Sequence, residues 1–176
     1  MERSFGEYLN GSQFKVLDER EVRASAGIMF FLALIAFINV DFFQRFYVVS
    51  AVSGFLMINF MIGIFINPKY APTMMIAKMI VKDQSALPIG AIQKKFAWGL
   101  GLGLAITIFV LSLFLLGDLR FFKPVCLLCL ICIALLFLET AFGICVGCKI
   151  YHYALKLKML PQPEVNPNCM GDSCEV

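Results

Sequence analysis

Four long apolar runs, each closed by a cluster of charged and turn-forming residues, set the pattern of the chain. The first, about Ala24 to Val40, follows Asp18, and Glu21 three residues later gives the capping-box arrangement that starts a helix. A short turn, Asp41 to Arg45, separates it from the second run, about Phe46 to Ile66. That run stops at Asn67-Pro68, because proline lacks the N–H needed to continue the helical ladder. The third run is about Phe96 to Gly117, and Asp118 to Lys123 is the tight turn after it. The fourth, Val125 to Val146, is 22 residues long with Glu139 as its one charged side chain. A helix needs roughly 20 apolar residues to cross a ~30 Å hydrocarbon core, so each run is read as a span.

The connection between the second and third runs is longer. Thr73 to Lys82 places Lys78 and Lys82 at i,i+4 beside Met75, Ile76, Met79 and Ile80. This predicts a short interfacial amphipathic helix. Pro88 is read as opening a helix that carries Lys94 and Lys95 into the third span. There, Gly99 and Gly103 form a small-xxx-small pair that lets a neighbouring helix approach closely. Upstream, Phe5, Tyr8, Leu9 and Phe14 are candidate anchors at a membrane surface. The expected architecture is all-α and integral to the membrane. It has an N-terminal segment (1–17), a four-helix domain with the interfacial helix (18–160) and a polar, proline-rich, flexible tail (161–176).

Composition agrees. Hydrophobic residues make up 60% of the 176 and charged residues only 15%, against ~25% charged in soluble domains. The net charge of +3 is explained by topology and gives no reason to expect nucleic acid. Acidic residues such as Glu2 and Glu7 precede the first run and no small-residue cleavage site follows it, so the N-terminus is read as retained. Lys and Arg number 4, 1, 5, 2 and 3 in the successive non-spanning segments. By the positive-inside rule both termini are cytoplasmic. Cys126 then faces outward and Cys148 inward.

Candidate chemistry concentrates around the fourth run. Cys126, Cys129 and Cys132 step by three along one helical face. One such cysteine is most simply a small hydrophobe, but three on a stripe suit a disulfide in the first turn or a soft metal. Cys145-Val-Gly-Cys148 is a CxxC pair capable of dithiol exchange, persulfide formation or metal ligation. On one continuous helix it lies at the C-terminal end, where the helix dipole disfavours thiolate; Lys149 partly offsets that and Gly147 loosens the backbone. Glu139 is a buried carboxyl and a functional candidate by default; the plainer alternative is a neutral acid bonded to another helix, with Asn59 as partner. His152 reads as an interfacial side chain. The tail pair, Cys169 and Cys174, could exchange with Cys145 and Cys148 or complete a four-thiolate metal site. Cys126 and Cys145 would lie about 28 Å apart, and Cys132 and Cys145 about 20 Å. Thiol exchange requires sulfur contact, so a small diffusing species, a quinone-like carrier or a partner protein must cover that gap.

The runs ETAFGICVGCKIY (139–151), NPKYAP (67–72), AIQKKFAW (91–98) and DEREVRASAG (18–27) resemble a bacterial four-helix membrane domain family of unknown function. That resemblance implies sulfur or thiol traffic beside rhodanese-like sulfurtransferases and thioredoxin-like proteins. It carries over Cys145, Cys148 and Glu139 as hallmark positions, and no role for the Cys126/Cys129/Cys132 ladder or the tail pair. The functional expectation is an inner-membrane thiol protein handling a small sulfur species through paired cysteines, with Glu139 gating or protonating it. Its rivals are a membrane dithiol oxidoreductase and a soft-metal-binding or structural protein. No cofactor is assigned, and whether a reaction is catalysed stays open. Partner expectations are membrane lipid, sulfurtransferase or thioredoxin-like proteins, and a second copy of the chain.

Overall fold

The computed structural model describes residues 5–8 and 15–157. Its elements are β1 (Glu7–Tyr8), β2 (Lys15–Asp18), α1 (Glu19–Asp41), α2 (Phe46–Phe65), α3 (Pro72–Ile80), β3 (Pro88–Gly90), α4 (Ala91–Leu115), α5 (Phe122–Phe142) and α6 (Val146–Lys156). Four helices, α1, α2, α4 and α5, are long and apolar enough to cross a membrane. Each packs on the next in sequence, and α1 closes the ring against α5, giving a four-helix bundle. Large apolar side chains such as Phe31, Phe55, Ile58, Val110 and Leu127 are exposed on the outside. A helix satisfies its own backbone polar groups, so this apolar exterior suits lipid contact.

The predicted helix boundaries hold for the first two spans. Asp18 caps α1, its side chain accepting from the N–H groups of Arg20 at 3.0 Å and Leu87 at 3.2 Å. Asn67 caps the 3-10 turn after α2, accepting from the Lys69 N–H at 3.0 Å. The amphipathic helix is α3. Its Thr73, Met74 and Ala77 are buried, while Met75, Ile76, Met79 and Ile80 are exposed as an apolar outer face. A polar pin holds it down. The Asn59 side-chain carbonyl accepts from both the N–H and the hydroxyl of Thr73 at 3.0 Å, and Thr73 and Ser25 hydroxyls lie 2.7 Å apart. Away from water each such bond contributes on the order of 1 kcal/mol, and an unmade one costs more. This network spends Asn59 on α1, α2 and α3, so it is not the partner of Glu139.

Three local expectations change. Pro88 does not open a helix. Residues 88–90 are a strand paired antiparallel with β2 (Val16 opposite Gly90, Leu17 opposite Ile89), and β1 extends the sheet on the other side of β2. Phe5 is no surface anchor: it is buried, edge to face on the Trp98 ring with centroids 5.7 Å apart. Leu9 and Phe14, the other proposed anchors, lie outside the described residues, as does the Tyr8 side chain. Gly99 and Gly103 meet no neighbouring helix, since a Cβ on either would touch nothing within 4 Å. Close approach occurs instead at Gly63, where a Cβ would run into the Trp98 ring, and at Gly101, where it would lie 2.9 Å from the Phe60 ring. Those two glycines let α2 and α4 form the most extensive seam of the bundle.

The fourth span ends earlier than the apolar run suggests. Gly143 turns left-handed at φ 67°, its N–H reaching the Glu139 carbonyl at 3.1 Å, while the Ile144 N–H reaches Leu138 at 3.1 Å. Glycine is the residue that adopts this conformation without strain, and it stops α5 as a C-terminal cap. The chain then turns and starts a separate helix, α6, which packs on α4.

Candidate functional site

Cys145 is the N-cap of α6, with extended backbone (φ −86°, ψ 98°), and its Sγ accepts the Cys148 N–H at 3.3 Å. The expectation from sequence was the reverse, a thiol pair at a helix C-terminus. Because Gly143 breaks the helix, the pair sits where unpaired N–H groups and the positive end of the dipole favour an anion. Both thiols are buried and free. The hydrogen bond from the Cys148 side chain draws the Cys145 thiol below its ordinary value of 9.0; burial opposes this, and the Lys94 ammonium assists it. The same hydrogen bond, with burial, pushes Cys148 far up. Of the two sulfurs, Cys145 is the one that accepts a hydrogen bond from the first turn of α6.

Gly147 has a packing role rather than a loosening one. A Cβ there would lie 2.6 Å from Ala97 Cβ and 2.8 Å from Ala97 Cα, so glycine is what lets α6 rest on α4. Three residues before that contact, on the first turn of α4, stands Lys94. Its Nζ lies 2.6 Å from Glu139 Oε1, and the two side chains are only 8% and 19% exposed. Glu139 is thus half of an ion pair on adjacent helices, with a partner that sequence reasoning had set before the third span as a leading cation. Its neighbour Lys95 is exposed. The available signal was the three-residue-plus spacing that turns Lys94 toward the face of Trp98 and Gly101, but its partner is 45 positions away in sequence.

Behind this group lies a cavity of about 310 Å³ inside the bundle. Ala26, Ala33 and Ala36 of α1, Leu56 of α2 and Ala105 of α4 contribute apolar walls, and Trp98 lines it near α6. Cys129, Cys132, Glu139 and Cys145 all open onto it. The stretch of helix between the two thiol groups therefore runs beside continuous open space. Leu100 of α4, Ile131 and Leu135 of α5 and Ile150 of α6 are both cavity wall and exposed outer surface. The cavity consequently reaches the bundle exterior between α4 and α5, next to α6.

Glu139 and Cys145 line the same cavity, with Cys148 hydrogen-bonded to Cys145, and Lys94, Gly147 and Trp98 stand around them. Cys126 is half-buried nearer the opposite end of the bundle and does not line the cavity. His152 is exposed on α6. The Cys169 and Cys174 expectation lies outside the described residues. Among the described residues, no three His, Cys, Asp or Glu side chains gather as a metal site.

A family model described as a domain of unknown function (DUF4395) matches residues 17–156, from the end of β2 through α6. The chain belongs to this family. No curated protein and no solved structure matches it. Within the DUF4395 span lie all four long helices, the ion pair and five of the seven cysteines.

Proposed function

We propose that the protein is an inner-membrane thiol protein that accepts and hands on sulfane sulfur through Cys145, with Cys148 as its partner. The observation that carries this reading is the position of Cys145 as a helix N-cap, hydrogen-bonded by Cys148 and opening on the cavity. In the transfer step the Cys145 thiolate attacks the outer sulfur of a donor persulfide. The donor's S–S bond breaks, its thiolate leaves, and Cys145 carries the new S–S bond as a persulfide. Attack by an acceptor thiolate on the outer sulfur returns Cys145 to thiolate, so the transfer is redox-neutral. The Lys94 ammonium favours a thiolate at Cys145, and Glu139 keeps that ammonium from standing as a bare charge in the bundle. The distribution of Lys and Arg supports cytoplasmic termini and a cytoplasmic face for this pair. Soluble sulfurtransferase or thioredoxin-like proteins are then the fitting partners.

The test is mass spectrometry of the intact thiols after incubation with glutathione persulfide or thiosulfate, with sulfide alone as the control that should add nothing. A mass gain of one sulfur on Cys145, absent in Cys145→Ser and retained in Cys148→Ala, is the expected result. Full modification elsewhere with none on Cys145 would remove the pair from the chemistry. A thiol reagent that cannot cross membranes checks the orientation, and labelling of Cys169 or Cys174 in intact cells would reverse it.

A further inference from the structure

The cavity is larger than any small sulfur species requires and is built for something else as well. At about 310 Å³ it sits at the lower bound of small-molecule pockets, ~300–1,000 Å³. Its walls are chiefly alanine, leucine, valine and isoleucine side chains, and its one charged wall residue, Glu139, is already paired with Lys94. A sulfur oxyanion would lose its hydration there with no free cation in exchange. The opening between α4 and α5, rimmed by Leu100, Ile131 and Leu135, faces the side of the bundle that lipid covers. An occupant therefore arrives from the hydrocarbon, and it is apolar. At the inner end it meets Cys145 and the first turn of α6. The N–H groups of Val146 and Gly147 there have no carbonyl four residues back within their own helix and can donate to a ligand oxygen.

We propose that this cavity binds the head group of a lipid-soluble quinone, and that the quinone oxidises the Cys145–Cys148 dithiol. A flat ring with carbonyl oxygens fills the space between the alanine-lined walls, while a prenyl tail too long for the cavity leaves through the α4–α5 opening into lipid. In the redox step the Cys145 thiolate and the Cys148 thiol become one disulfide. The electron pair passes to the quinone, which takes up the Cys148 proton and one more from water to become the quinol. The inference rests on Cys145 and Cys148 being the working pair, not on the sulfur compound they meet.

Trp98 is the chain's single tryptophan and lines the cavity, so its emission reports on occupancy. The full-length protein in lipid nanodiscs is titrated with a short-tailed ubiquinone, with an isoprenol of the same tail length as control. Saturable quenching that the isoprenol does not reverse is expected. Ala105→Phe, which puts a ring on the cavity wall, should weaken it by about tenfold, ~1.4 kcal/mol. Reduced wild-type protein should convert one quinone to quinol, while Cys145→Ser binds quinone but reduces none. Quenching that rises linearly without saturating, or that the isoprenol displaces equally, overturns the proposal in favour of a lipid chain. Binding without quinol formation overturns the redox step. The wild-type titration decides even where Ala105→Phe fails to fold. Persulfide on Cys145 without quinone binding would leave the sulfur-transfer reading standing and this one fallen, and the converse separates them equally well.

Discussion

Replacing Lys94 with methionine removes one half of a buried ion pair and leaves the other half where it was. Both side chains are far less than a third exposed, and the Nζ–Oε1 distance is 2.6 Å, so solvent screening does not soften the loss as it does at a surface. Stranding one partner of a buried pair costs about 3–5 kcal/mol, whereas removing both costs little. Lys94→Met should therefore lower the folded-to-unfolded ratio by at least about two factors of ten. Lys94→Met/Glu139→Gln, in which no charge is left behind, should recover most of that. Unfolding in mixed detergent micelles, followed by Trp98 emission, measures the wild type, both single variants and the double variant as one cycle. Near-equal midpoints for wild type and Lys94→Met would refute the reasoning. So would a double variant no more stable than Lys94→Met, because the penalty would then not arise from an uncompensated carboxylate.

Alkylation of Cys145 by a small reagent should reach half its maximal rate below pH 9.0, since its thiol is held under that value by the Cys148 hydrogen bond. Cys148→Ala should move the midpoint up, and a wild-type midpoint at or above 9.0 would refute the assignment. The sign for stability follows: a depressed acid contributes fully above 9.0 and loses its contribution as pH falls through its folded value. The difference in stability between wild type and Cys145→Ser should thus grow as pH rises toward 9.0. Cys148, which is raised, acts oppositely above 9.0. Gly147→Ala opposes two terms, an intrinsic helix gain of about 1 kcal/mol and overpacking of about 1–3 kcal/mol against Ala97. A net loss of stability with faster Cys145 alkylation is expected, and a gain in thermal midpoint would mean α6 does not rest on α4 as described.

The spans were legible because hydrophobicity over twenty residues is a long, redundant signal. The sharp stops at Asn67-Pro68 and the Asp18 cap were legible because each is local chemistry. What escaped was pairing across the chain. Strands of two to four residues, such as β2 and β3, have too few positions for a periodicity, and their register depends on residues some 70 positions apart. Lys94 and Glu139 are individually conspicuous, yet sequence cannot say that they meet. Gly143 is the instructive case. Within an apolar run it reads as a tolerated helix residue, and only the left-handed turn turns the CxxC pair from a helix end into a helix beginning. That single residue inverts the electrostatic argument for Cys145. The thiol pair and the carboxyl were found from their residue types, whereas the cavity has no one-dimensional signature.

The Asn59–Thr73–Ser25 pin has a mechanical consequence. It joins α1, α2 and α3 through three side chains, so this half of the site end moves as one block. The opposite half is fastened differently: the Lys94–Glu139 pair ties α4 to α5, while α6 continues from the Gly143 turn and rests on α4 through Gly147 on Ala97 and Tyr151 on Phe96. With α4 tied to α5 by that pair, the opening next to α6 widens most readily by a swing of α6 about Gly143. The same movement that admits a ligand carries Cys145 with it, and access and thiol position share one hinge.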